Sequence, residues 1–207
     1  MTAAASSVAA PPRPARSTYS TVAITLHWLI AAGVLTNIGL AWYFNTLSRT
    51  EQFGPVALHK SIGITVLLLT LVRIGWRLAN PPPPLPDHMQ AWERWAAKAT
   101  HFVFYVFLIA MPLSGWAWVS TSPLLKHHPT VLFGILPWPA LPTPGLDSDQ
   151  VHAASKLFGR THSVLALIAY ATIALHVAAA LKHQLIDRDD VLARMLPLVR
   201  PKPRSAP

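Results

Sequence analysis

The chain contains no cysteine. Its absence excludes disulfides, thiolate metal sites, cysteine-held iron–sulfur clusters and the thioether attachment of a c-type haem. Charge is scarce as well: 12% of the 207 residues are charged, and acidic side chains number only eight. A soluble domain carries about 25% charged residues, so half that share in a chain that is 52% hydrophobic points to a membrane. Also missing are a Ser-His-Asp set, a metalloprotease motif, a phosphate-binding glycine loop, a dinucleotide fingerprint and any internal or inverted repeat. Hydrolase, nucleotide-binding and repeat-built transporter chemistries therefore find no support. No stretch shows the period-2 alternation of a barrel strand.

Four long apolar segments are present, at about 21–43, 56–78, 98–119 and 155–181. Each reaches the ~20 residues that a spanning helix needs. The expected fold is an all-α membrane protein, an up-and-down bundle of four transmembrane helices. Residues 1–18, rich in Ala, Ser, Pro and Arg with no apolar core, read as a disordered tail rather than a secretory signal. Residues 199–207 read as a second tail, leaving 19–198 as the bundle domain. Pro55 suits the first turn of the second helix, whereas the run from Pro81 to Pro86 stops any helix. Trp92, Glu93, Arg94 and Trp95 suggest an interfacial approach to the third helix, and Pro112 falls inside it. The Pro-rich connector 120–150 is long for a bundle loop and is a candidate cap over one mouth.

The formal charge of +9 does not indicate nucleic acid, because the positive residues cluster beside apolar segments. With the N-terminus cytoplasmic, twelve Lys and Arg fall on the inner side and five (Arg49, Lys60, Lys126, Lys156, Arg160) on the outer side. The positive-inside rule then places both termini in the cytoplasm.

The chemistry lies in the histidines. His162 and His176 stand fourteen residues apart in the last apolar run. At ~100° and ~1.5 Å per residue they leave one helix face about 21 Å apart. His27 matches the depth of His176, and His59 matches that of His162. Ionisable residues inside a membrane helix are costly and mark functional sites by default. Neutral imidazoles paired at two depths suit bis-histidine ligation of haem iron, with one ligand on each macrocycle face. A zinc or copper site would need third and fourth ligands that depth-separated pairs lack. Gly33, Gly39, Gly63, Gly115 and Gly159 offer close approach. Arg73 and Arg77 (inner) with Lys60 and Arg160 (outer) are candidate propionate partners. His101, at the start of the third helix, competes with His27 or His176 for the inner level, and depth arithmetic does not choose. His183 falls on the same face as His176, nearer water.

Several pieces, in order along the chain, resemble the bacterial cytochrome b561 family. They are His27-Trp28; His59-Lys-Ser-Ile-Gly; His101-Phe-Val-Phe-Tyr with Met-Pro-Leu-Ser-Gly115; His162; His176 through Lys182-His183; and Met195-Leu-Pro. The likeness spans about 19–198. It implies a four-helix protein of the bacterial inner membrane with two b haems, the inner bound by His27 and His176, the outer by His59 and His162. His101 and His183 are then left for a quinone contact or a proton path. The implied function is electron transfer between a periplasmic donor and membrane quinone, since bis-histidine iron has no open position for oxygen. Family members include superoxide oxidases that reduce ubiquinone. A cationic outer mouth of Lys60, Lys126, Lys156 and Arg160, joined by His127, His128 and His152 when protonated, would steer such an anion. The other class is a haem-carrying anchor subunit for a dehydrogenase or hydrogenase, docked through the connector.

Overall fold

The computed structural model describes residues 18–86, 89–123, 128–143 and 145–196. The two tails, apart from Thr18, lie outside the described residues, as do Lys126 and His127. Four helices follow in order: α1 Thr21–Phe44, α2 Phe53–Ala79, α3 Ala91–Ser120 and α4 Ser148–Lys182. All four are long and apolar enough to cross a membrane. Their outward side chains are the large aliphatic residues that lipid solvates, such as Leu71, Leu78, Leu167 and Leu175.

Helix ends follow local chemistry. Ser20 caps α1 by accepting from the Ala23 N–H at 3.3 Å. Asp147 and Gln150 form a capping box that starts α4 seven residues before the apolar run. Gln90 and Glu93 do the same for α3, so Trp92 and Trp95 lie in its first turns rather than in a separate approach segment. The α1–α2 link is closed by Ser48, whose N–H and hydroxyl donate to Glu51 Oε2 at 3.0 and 2.5 Å. Those bonds hold the Glu51 carboxyl below its ordinary range. Because the folded value is depressed, this contribution is present above the ordinary carboxylate range and disappears as pH falls through the folded value.

The bundle is built from two helical hairpins. α1 packs along α2 and α3 along α4, while α2 and α3 join the halves; α1 and α4 scarcely approach at backbone level. Each hairpin closes on a glycine. A Cβ on Gly33 would lie 2.7 Å from Val66 Cγ2, and one on Gly159 would lie 2.9 Å from the Trp118 indole. A larger residue at either position would require the facing side chain or its helix to shift. The antiparallel order puts the described chain ends at one end of the bundle, the termini end. The α1–α2 link and the α3–α4 connector lie at the other, the connector end.

The connector departs from an all-helical chain. Val131–Leu132 (β1) and Leu136–Pro137 (β2) pair antiparallel, Leu132 opposite Leu136. The turn between them has positive φ at Phe133 (51°) and Gly134 (72°), the arrangement of a tight hairpin turn. Four hydrogen bonds pin it over α2 and α3. Phe133 N–H donates to Ser61 Oγ at 2.9 Å and Lys60 Nζ to Thr130 Oγ1 at 3.3 Å. Trp116 Nε1 donates to Pro139 O and Leu141 N–H to Ser120 Oγ, both at 2.9 Å.

At the termini end, α4 runs into a π-helical turn, His183–Asp187, closed by Arg188 in the left-handed region at φ 53°. Lys182 Nζ bridges Glu93 of α3 and Asp187 at 2.8 and 2.6 Å. Beyond it, Trp28 Nε1 donates to Met195 O at 2.8 Å and Arg194 Nη1 to Pro84 O at 2.8 Å. The C-terminal segment thus straps α1 and the α2–α3 link together.

Gly33→Ala and Gly159→Ala are each expected to destabilise the protein in detergent by about 1–3 kcal/mol through overpacking. Gly75→Ala, with nothing within 4 Å of the new Cβ, is expected to leave thermal unfolding unchanged or slightly raised.

Candidate haem-binding site

Two pairs of imidazoles face each other across the seam between the hairpins. His27 on α1 and His176 on α4 have ring centroids 6.3 Å apart, with planes at 65°. His59 on α2 and His162 on α4 have centroids 6.2 Å apart, with planes at 75°. The first pair spans α1 and α4 and the second spans α2 and α4, helix pairs that scarcely touch at backbone level.

At the connector-end level the protonation of both rings follows from their partners. His59 Nδ1 lies 3.2 Å from the backbone O of Asn37, and the Asn37 amide returns a bond to His59 O at 3.2 Å. A carbonyl oxygen only accepts, so Nδ1 carries the proton and Nε2 keeps its lone pair. His162 Nδ1 lies 3.1 Å from Met111 O and 3.1 Å from Ser114 Oγ. The Ser114 hydroxyl proton is already donated to Met111 O at 2.7 Å, so Ser114 can only accept from the ring. Both Nε2 atoms thereby keep a free lone pair, and each Nδ1–H···O bond is of the kind that backs a metal-ligating histidine where a metal is bound. Gly115 makes room for this arrangement: a Cβ there would lie 3.1 Å from His162 Cε1 and 3.2 Å from Nδ1.

The termini-end level is built differently. Neither His27 nor His176 has a ring-nitrogen hydrogen bond among the described residues. Three rings meet here, because His101 on α3 stands 6.1 Å from His176 at 87°. His101 Nδ1 donates to Ala97 O in its own helix at 2.6 Å, leaving its Nε2 lone pair free too. Ring spacing therefore leaves His27 and His101 as alternatives opposite His176, as depth did. Arg73 stands fourteen residues along α2 from His59, the spacing that separates His162 from His176. It reaches this level and donates to Ala23 O, one turn before His27, at 2.6 Å. Arg77 lies with its guanidinium 5.8 Å from the Tyr105 ring centre, a cation–π contact.

The remaining candidates divide. Lys60 turns to Thr130 of the connector, and Arg160, Lys156 and His152 are exposed on the first half of α4. His128 stacks on Phe53 at 4.2 Å. His183 is drawn away from the His176 level into the π-helical turn, with Nδ1 2.8 Å from Asp189 Oδ2 and 3.2 Å from Asp187 Oδ2. Asn37 and Ser114 were not singled out from the sequence. The signal for Asn37 was available as a lone amide in an apolar run, and that for Ser114 lay inside the Met-Pro-Leu-Ser-Gly piece.

The donor set fits a haem. Two metal–nitrogen bonds of about 2 Å plus two ring radii of roughly 1.1 Å, from bond lengths near ~1.33 Å, put coaxial imidazoles on one metal roughly 6.2 Å apart, centre to centre. The observed 6.3 and 6.2 Å match that distance, and so does the 6.1 Å between His101 and His176.

Helices able to span a membrane, with imidazoles gathered between them and no carboxylate beside those pairs among the described residues, have the arrangement of a membrane cytochrome. Residues 18–198 match the family described as prokaryotic cytochrome b561. The chain is 35% identical over 181 residues to cytochrome b561 homolog 2 of Escherichia coli (strain K12), covering 86% of this chain and 90% of that one. It is 28% identical over 194 residues to the probable superoxide oxidase CybB of Yersinia pestis, covering 88% and 97%. It is also 28% identical over 187 residues to cytochrome b562 of Cereibacter sphaeroides, covering 86% and 94%. The chain belongs to the prokaryotic cytochrome b561 family and is a haem-containing, membrane-spanning electron-transport protein.

Because a side chain at position 115 would press on His162, Gly115→Val is expected to lower bound haem by up to one per chain. Gly75→Val, on the lipid-facing side of α2 with open space around it, should retain full haem; both are read from the pyridine haemochrome of purified protein.

Proposed function

We propose that the protein carries two b haems and passes electrons from a donor at the periplasmic face to quinone in the bilayer. The observation that carries this reading is the pair of imidazole pairs, at 6.3 and 6.2 Å, on levels fourteen α4 residues apart. His27 and His176 hold the inner haem, His59 and His162 the outer. Haem b ligated in this way supplies reversible one-electron chemistry with no open coordination position, which favours outer-sphere transfer over oxygen binding. The bundle domain occupies 19–198 of the chain, with both termini cytoplasmic. The sequence assigns twelve Lys and Arg to the inner side and five to the outer, which supports that orientation.

The protein's own residues orient and bind. Asn37 and Ser114 hold the outer imidazoles in one tautomer, and the glycines allow close approach. Arg73 and Arg77 supply cations for inner propionates, and Lys60 and Arg160 for outer ones. His101, beside His176 with a free lone pair, is the residue placed to contact quinone. His183, between two carboxylates, is suited to hold a proton near the inner surface.

The superoxide oxidase reading rests on the likeness to the Yersinia pestis relative and on exposed cations at the connector end. In the balanced reaction, two superoxide anions each lose one electron to give two O2. One quinone takes the two electrons and two protons to give quinol. Lys60, Lys156 and Arg160 stand at the mouth where an anion would be steered. A relay role, docking a dehydrogenase, is the second reading. It is favoured by the connector hairpin, whose tip exposes Phe133, Leu136 and Ile135, the last 85% exposed.

A dithionite-reduced minus oxidised spectrum with haem quantitation is expected to give two b haems per chain, with His59→Ala losing one and His27→Ala the other. Loss of a haem in His101→Ala but not in His27→Ala would reassign the inner ligand. With purified protein, superoxide and a soluble quinone, haem reduction is expected to proceed in the chain alone. The Lys60→Gln, Arg160→Gln double variant should slow it several-fold at low salt and flatten its salt dependence. Complete inactivity of the isolated, fully haem-loaded chain would instead favour the relay.

A further inference from the structure

The two histidine levels differ in what stands behind the rings, and the difference has a redox consequence. At the connector end both imidazoles donate Nδ1–H to oxygen acceptors: His59 to Asn37 O, and His162 to Met111 O and Ser114 Oγ. Such bonds push electron density onto the ligating nitrogen and stabilise the more positive metal state. At the termini end His27 and His176 make no such bond among the described residues. A guanidinium, Arg73, is anchored one turn from His27 instead, through Ala23 O. A positive charge at that level favours the metal state with the extra electron. The two effects work in the same direction. The cations of the connector-end level act less strongly on the rings: Lys60 Nζ is bonded to Thr130, and exposed Arg160 is screened by solvent.

The acceptors are themselves held in place. Asn37 and His59 form a reciprocal clamp between α1 and α2, with amide to backbone O one way and ring to backbone O the other. The Asn37 Oδ1 atom is buried without a hydrogen-bond partner among the described residues. A fold that retains this uncompensated polar atom holds the amide through its N–H2 end alone, the end that aligns the carbonyl with the ring. Ser114 is similarly fixed, its proton bound to Met111 O at 2.7 Å so that its lone pair faces His162.

We propose that Asn37 and Ser114 are positioning residues that place the His59–His162 level at the lower midpoint potential of the two. Electrons entering at the connector end then run downhill to the His27–His176 level. The proposal rests on the ligand pairing given under Proposed function, and its test separates the two. Haem content is measured in His27→Ala and His59→Ala proteins, then each remaining haem is titrated through its α-band. One haem lost in each variant establishes the pairing. The haem left in His27→Ala is then expected to titrate at the lower potential. In that background Ser114→Ala should favour the reduced form by about two- to ten-fold at fixed ambient potential, the equivalent of one hydrogen bond. Ser114→Thr, which keeps the hydroxyl, should leave the potential near that of the His27→Ala parent. With one haem retained, a higher potential at the connector-end level overturns the inference while leaving the pairing intact. Equal potentials in the Ala and Thr variants overturn it too. Retention of both haems in His27→Ala overturns the pairing and the inference together.

Discussion

An imidazole placed among apolar helices in a membrane must find an acceptor for its N–H, because neither lipid nor aliphatic side chains supply one. That requirement organises the connector-end half of this bundle. His59 takes the backbone of α1 at Asn37, and His162 takes the backbone of α3 at Met111 together with Ser114. Each bond runs from one helix to another, so satisfying the ring also sets helix spacing. Gly115 and Gly159 keep room for this arrangement, since a Cβ at either would lie 3.1 Å from His162 or 2.9 Å from Trp118.

The termini-end half meets the same requirement less completely, with three rings about one level and an arginine among them. His101 satisfies its N–H within its own helix, which leaves it free to move with α3 rather than tying α3 to another element. Cohesion here comes from charge and from the chain end. Lys182 bridges Glu93 and Asp187, and the segment through Met195 is bonded to Trp28 and to the α2–α3 link. One end of the molecule is therefore organised by ring-to-backbone bonds and the other by ion pairs and a strap. A membrane cytochrome that moves electrons between unlike surroundings has a use for two unlike levels.

Much of the architecture was legible in the residues because helix geometry is rigid. Four apolar runs of sufficient length define four helices, and fourteen residues between His162 and His176 define two levels whatever the neighbours do. The ordered histidine pieces also carried the family likeness, which the match over residues 18–198 shows directly. Helix ends were less legible: the capping boxes at Gln90 and Asp147 extend α3 and α4 beyond their apolar runs. The connector hairpin was not visible either, since strands of two residues have no period to detect.

The sequence by itself determined that this chain is a four-helix membrane protein with imidazoles at two depths, because length, apolarity and helical rise are local properties. Only the tertiary structure decided which rings stand within about 6 Å of each other, and it brings three of them together at the termini end. It alone decided which ring nitrogens carry protons at the connector end. Rotation of each helix about its axis and the aim of a backbone carbonyl depend on packing across the seam, and no run of residues along one helix encodes them.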